Sequence, residues 1–349
     1  MLILLLLIIS SVLFLTFTED YLGKYKWGIY ILVCLFLIIY AGLKPIGFDR
    51  DSSNYQWMFM HPDSNKADTA VEPLFVILSR VLYLIWPDVS CLFLFFALLG
   101  ITAKFIAIKQ LTPMLFLPLF SYLQNFYLLH DLTQIRAGVT SGLFLLALYP
   151  LANQKKLKAF GIIILGVLFH YSALCLLPIL FLNNKRFDLK WKIVLWSIVP
   201  FCCLLYIRNL DLLTVVEIPY ITEKVETYKT LSEFGVAEKA RLLSPFPVIK
   251  ALVFLYLLYF AETIEEYIPS IYLLLRIFGC SLLAYFALSS FTILSMRISE
   301  LYGIVEIILY PCIIYTVRPQ LVGKCAVCII AVFEMVYNLA INDLLDFTA

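Results

Sequence analysis

LKAFGIIILGVLFHYSALCLLPILFL, residues 157–182, is the stretch on which the architecture turns. It is apolar almost from end to end, and its middle carries Phe169-His170-Tyr171-Ser172. It exceeds the ~20 residues that a helix needs to cross a hydrocarbon core of about 30 Å. Basic residues flank both ends: Lys155, Lys156 and Lys158 on one side, Lys185, Arg186, Lys190 and Lys192 on the other. Short loops rich in Lys and Arg stay cytoplasmic, so a single crossing strands one cluster on the wrong face. A break at His170 and Tyr171 removes the conflict. Two half-helices of about 13 residues each reach roughly 20 Å into the core. The pattern therefore predicts a re-entrant hairpin over 157–182, entering from the cytoplasm and presenting His170 near the outer leaflet. Irregular backbone at that depth survives only against protein or a water-filled cavity, which points to a polar cavity open to the outside.

The rest of the chain repeats the apolar theme. Of 349 residues, 63% are hydrophobic and 14% charged, and mean hydropathy is +0.95. A soluble domain has about a quarter charged residues and could not cover so much apolar surface; a bilayer accepts it. The fold class expected is all-α, a polytopic integral membrane protein with roughly 10–12 transmembrane or re-entrant helices. Candidate spans are Leu2–Thr18, Trp27–Leu43, Val89–Ile108, Pro113–Leu129, Ile135–Leu151, Leu189–Ile207, Phe246–Phe260, Ile268–Phe291, Leu301–Val317 and Leu321–Ala340. Pro73–Trp86 is too short to span and carries Arg80, so it reads as re-entrant or interfacial on the outer side. No basic segment precedes the first apolar run, which predicts an uncleaved first helix. One membrane domain over 1–349 is expected, with outer loops 44–72 and 208–245. The second loop alternates Glu223, Lys224, Glu226, Lys229, Glu233, Glu238, Lys239 and Arg241, compatible with a surface-lying amphipathic helix. Lys24/Lys26, Lys104/Lys109 and Arg318/Lys324 join the cytoplasmic clusters, and the His130–Gln134 connection falls outside.

Net charge of +2 without a basic domain implies no nucleic-acid partner. All nine cysteines lie in apolar runs and read as small buried hydrophobes, Cys325-x-x-Cys328 included. The histidines His61, His130 and His170 are scattered, so no metal constellation is visible, and no Walker loop, GxGxxG or GxSxG occurs. No cofactor is expected.

Ionisable residues inside a membrane are costly and mark function. Four groups gather near the predicted outer leaflet. Asp49-Arg50-Asp51-Ser52-Ser53-Asn54-Tyr55 follows the second helix, and reads either as a loop with an Asx-turn or as a polar lid facing a sugar. To the same group belongs Glu72, which precedes Pro73, where a carboxylate suits a helix N-terminus. Gln134-Ile135-Arg136-Ala137-Gly138 places an Arg one turn inside a helix, suited to a diphosphate or to snorkelling toward headgroups. His170 is placed to act as acid or base. Arg297 and Glu300, three apart, make either an ion pair or a second cationic site. Arg276, Glu306 and Glu334 lie deeper and should pair with other groups.

In this order the groups resemble the EpsG family of bacterial exopolysaccharide proteins, which is similar to the Wzy O-antigen polymerases. The resemblance rests on Asp51-x-x-x-Tyr55 with Glu72-Pro73-Leu74-Phe75 and on Gln134–Gly138, then Leu143–Ala147 and Lys155-Lys156. It continues through Phe169-His170-x-Ser172-Ala173-Leu174 into Pro178, and to Arg297. One departure is Lys44, where the family often carries an Arg. The resemblance implies a glycosyltransferase of the bacterial inner membrane, acting at the periplasmic face. Its substrate would be an undecaprenyl-diphosphate-linked oligosaccharide in the lipid bilayer, with a chain-length regulator and a flippase as further partners. His170, Arg136, Arg297 and Asp51 are the catalytic candidates; Asp49, Arg50, Tyr55, Glu72, Gln134 and Glu300 the substrate-binding ones. Three rivals remain: a lipid-linked glycan flippase or transporter, a multipass O-acyltransferase of surface glycan, and a sugar ligase.

Overall fold

The computed structural model describes residues 1–61, 71–208, 245–288, 292–341 and 344–345. The charged alternation between Glu223 and Arg241 lies outside the described residues. Every extended element among those described is a helix: α1 Leu2–Thr18, α2 Lys26–Gly42, α3 Ser52–Met60, α4 Pro73–Ile85, α5 Val89–Leu111, α6 Phe116–Gln124, α7 Ile135–Ala152, α8 Lys156–Phe169, α9 Leu189–Arg208, α10 Pro245–Tyr259, α11 Ala261–Glu265, α12 Ile271–Ala287, α13 Thr292–Gly303, α14 Glu306–Leu309 and α15 Gln320–Ala340. A π-helical turn, Tyr127–Thr133, precedes α7, and 3-10 helices cover Tyr171–Phe181 and Tyr310–Tyr315. Among the described residues, seven segments are long and apolar enough to cross a membrane, and four further apolar helices are shorter. The chain is a polytopic membrane protein.

It divides into two compact units, Met1–Leu180 with Ile307–Ala349, and Phe181–Glu306. In the first, α5 and α7 form the core, while α1, α2 and α15 leave most of their surface apolar and outward. Small residues set the α5–α7 approach: a Cβ at Gly142 would lie 2.6 Å from the Gly100 carbonyl oxygen. Such backbone contact is how membrane helices associate where apolar burial offers no net gain. Hydroxyls on α1 return to their own helix, Ser10 to the Leu6 carbonyl and Thr16 to that of Val12, satisfying themselves without water. The start of α6 is capped from a distance, as the Glu19 carboxylate accepts from the Leu115 and Phe116 amides at 2.9 and 3.0 Å.

At His170 the backbone is extended, with φ −155° and ψ 118°. A Cβ at Gly166 would lie 3.9 Å from the Ala173 Cβ, whereas a straight helix separates such positions by about 10 Å along its axis. The backbone therefore breaks from the helix axis there, with His170 at the break.

In the second unit, the Arg276 guanidinium of α12 donates to the Asn183 and Lys185 carbonyls at 2.7 and 2.9 Å. It lies between the Phe187 and Trp191 rings, so its partners are backbone and aromatic faces rather than a carboxylate. Glu306 pairs with Lys250 at 2.7 Å. Glu334, in the first unit, is buried on the inner face of α15.

Three expectations need correction. Lys104 does not stand with exposed Lys109 in a surface cluster; it is fully buried against Asp131. The His130–Gln134 connection is not an exposed loop, since residues 130–133 are buried within the π-turn. Pro113–Leu129 is not one span: α6 ends at Gln124, where Asn125 turns to φ −128° and ψ −75°.

Candidate functional site

Glu72 is the hub. The sequence suggests a helix cap, and Glu72 does occupy the N-cap of α4 with Pro73 as first helical residue, yet its side chain makes no capping bond. Tertiary partners take it instead. One carboxylate oxygen accepts from the Arg136 guanidinium. The other lies 2.8 Å from His170 Nδ1 and accepts from the Tyr171 amide at 3.2 Å. Three segments converge: the start of α4, the first turn of α7 and the helix break at His170. Glu72 is 3% exposed, while Arg136 and His170 keep 20% and 15%, so its two partners face an opening that the carboxylate does not.

Burial alone would raise the Glu72 carboxyl, but the His170 hydrogen bond and the Arg136 charge outweigh it and hold it down at about 2. An ionised carboxylate only accepts. His170 Nδ1 therefore carries a proton, and in the neutral ring Nε2 is the basic nitrogen. A carboxylate that fixes the tautomer and direction of an imidazole is the supporting half of a general-base pair.

Arg136 rests on two rings, its guanidinium carbon 5.7 Å from the Tyr55 centroid and 5.3 Å from that of Phe75. Such stacking suits the planar guanidinium and fixes the fork. Tyr55 is on the buried face of α3, packed on Phe75 at 6.0 Å. It reaches this place because an apolar cluster joins α3, α4, α5 and α7 with Phe169.

The loop group separates into different roles. The Asp49 carboxylate turns inward to Lys44 at 2.7 Å, both side chains without exposure, and accepts from the Asp51 and Ser52 amides at 3.0 Å. The Asx-turn is real, and it is buried rather than solvated. Gly47, at φ 89°, supplies the left-handed turn that brings it round. Lys44 also donates to the Leu132 carbonyl, so it is a buried tie and not a phosphate contact. Asp51 begins α3 half-buried without a capping bond, and Arg50 is exposed. Gln134 begins α7, its side chain making no cap.

Arg297 and Glu300 belong to the second unit, on α13; Arg297 is exposed and Glu300 partly so. The charges of Lys250, Arg297 and Glu306 bear on Glu300. Among the described residues no three His, Cys, Asp or Glu side chains converge as a metal ion requires. Sequence reasoning missed the Lys104–Asp131–Tyr122 cluster. Its one available signal was Asp131 itself, a carboxylate amid apolar residues.

Comparison with known protein families matches residues 27–345 to the EpsG family. No curated protein and no solved structure matches the chain.

Proposed function

This chain belongs to the EpsG family, membrane proteins linked to exopolysaccharide synthesis, and from that premise we propose that it is a polysaccharide polymerase. It joins oligosaccharide repeat units carried on undecaprenyl diphosphate, at the periplasmic face of the bacterial inner membrane. The observation that carries the reading is Glu72 held between His170 and Arg136.

His170 Nε2 takes the proton from a hydroxyl at the non-reducing end of the incoming unit. The hydroxyl oxygen forms a bond to the anomeric carbon of the growing glycan, whose bond to the diphosphate oxygen breaks. Undecaprenyl diphosphate leaves with the bonding pair, and Arg136 lies beside the negative charge that develops. A preorganised cation at that place acts where it lowers the barrier. Glu72 keeps the imidazole in its basic tautomer and offsets the charge as His170 becomes imidazolium.

The test is the length distribution of surface glycan in the native host. Deletion of the gene should abolish the ladder and leave a single-repeat band. His170→Ala, Arg136→Ala and Arg297→Ala should each shorten it at unchanged protein level. Stranded lipid-linked units with no surface glycan would identify a flippase instead. An intact ladder of altered mass would identify an acyltransferase.

A further inference from the structure

A π-turn is wider than an α-helix, closes i to i+5 bonds, and recurs as single turns at functional sites. Here it runs Tyr127–Thr133 and closes with the Gln134 amide on the Leu129 carbonyl at 3.0 Å. The next residue opens α7, whose second residue is Arg136. The joint at Gln134, with φ −93° and ψ 68°, therefore sets the direction of Arg136.

Two buried lysines hold that joint. Lys104 spends all three ammonium hydrogens across it: two on Asp131 in the π-turn, at 2.9 and 2.8 Å, and one on the Gly138 carbonyl of α7, at 2.7 Å. Tyr122 donates to the same carboxylate at 2.7 Å. Lys44 donates to the Leu132 carbonyl at the end of the turn. Room for the carboxylate is cut from both core helices, since a Cβ at Gly100 or Gly138 would lie 2.8 or 2.9 Å from Asp131 Oδ1. A buried ion pair is a weak source of stability, because desolvation cancels most of its attraction. What such a pair does well is fix direction, and this one straddles the residue from which Arg136 departs.

We propose that Lys104 and Asp131 are positioning residues that act through Arg136, fixing the angle at which its guanidinium meets Glu72 and the diphosphate of the donor. This deepens the polymerase reading and rests on it.

A double-mutant cycle on the full chain tests it, because residues acting through one another fail to add. Lys104→Met with Asp131→Asn removes both charges and leaves neither uncompensated. Elongation rate on host lipid-linked repeat units and affinity for undecaprenyl diphosphate are measured in this pair, in Arg136→Ala, and in the combination. Folded fraction comes from thermal unfolding in detergent. On the proposal, the pair loses at least tenfold in both readouts per folded molecule, and loses nothing further once Arg136 is gone. Effects that multiply, or a loss explained by folded fraction alone, overturn it. If the pair fails to fold, Tyr122→Phe takes its place. A threefold loss that vanishes in the Arg136→Ala background supports the proposal, and an equal loss in both backgrounds overturns it. A wild type that neither elongates nor binds undecaprenyl diphosphate removes the polymerase reading itself, a result distinct from additivity.

Discussion

Glu72→Gln is the perturbation that asks most of the site. The carboxylate offers two acceptors to two sets of donors, Arg136 on one oxygen and His170 Nδ1 with the Tyr171 amide on the other. A carboxamide has one acceptor oxygen, and its NH2 only donates. If the NH2 faces Arg136, two donors meet in a half-buried place. If it faces His170, the imidazole must present Nδ1 as acceptor and move its proton to Nε2, which removes the base. Folded Glu72 titrates at about 2 against an ordinary 4.5, which converts to about 3 kcal/mol of stability at 1.36 kcal/mol per tenfold. The folded value is the lower one. That stability is therefore complete above about pH 4.5 and fades as pH falls toward 2. Glu72→Gln should thus unfold about 3 kcal/mol more easily at neutral pH and narrow that difference in acid. Loss of a correctly oriented base costs about 10²–10⁴ in rate. Unfolding in mixed micelles at pH 7 and pH 3 gives the first quantity, and elongation on host lipid-linked units the second. A variant with wild-type stability at pH 7 and wild-type turnover would refute the assignment of Glu72 as the bridge.

Other expectations follow from separate parts of the chain. Gly138→Ala puts a Cβ 2.9 Å from Asp131 Oδ1 and should lower the level of inserted protein severely. Gly161→Ala, with nothing within 4 Å, should be tolerated, as quantitative blots of membrane fractions will show. Glu19→Ala removes the distant cap of α6 and should cost about 1–2 kcal/mol in thermal unfolding. Elongation per folded molecule should stay unchanged. Lys155→Cys and Lys190→Cys should react with a membrane-impermeant maleimide from the same side. Labelling from opposite sides would rule out the re-entrant hairpin.

The helices were legible in the sequence because apolar runs have no soluble alternative, and Leu189–Ile207 or Leu321–Ala340 differ from the observed elements by one residue at one end. Interruptions were less legible. Nothing local in Pro113–Leu129 marks Asn125 as the place where the helix deforms. At the candidate site, Glu72, Arg136 and His170 each stood out as ionisable groups in or beside apolar runs. That one carboxylate serves both Arg136 and His170 was not visible, because local reasoning assigned it to the start of α4. Lys104 was misplaced for a related reason. Counting basic residues at helix ends treats every lysine alike, whereas burial against Asp131 is decided by a partner 27 residues away.

The spacing of the Glu72 hub also has a history written into it. Arg136 emerges 64 residues after Glu72, and His170 emerges 98 after it. At ~5–20 residues per second, ribosomal synthesis delays His170 by about 5–20 s. Until Arg136 follows, α4 carries a carboxylate with neither partner, and until His170 follows, with only one. Lys44 meets its Asp49 almost at once, so the frame that receives Arg136 begins to set early and the Glu72 hub closes after it. A nascent chain arrested before residue 170 would carry Glu72 and Arg136 without the imidazole, so the base joins the hub as its final member.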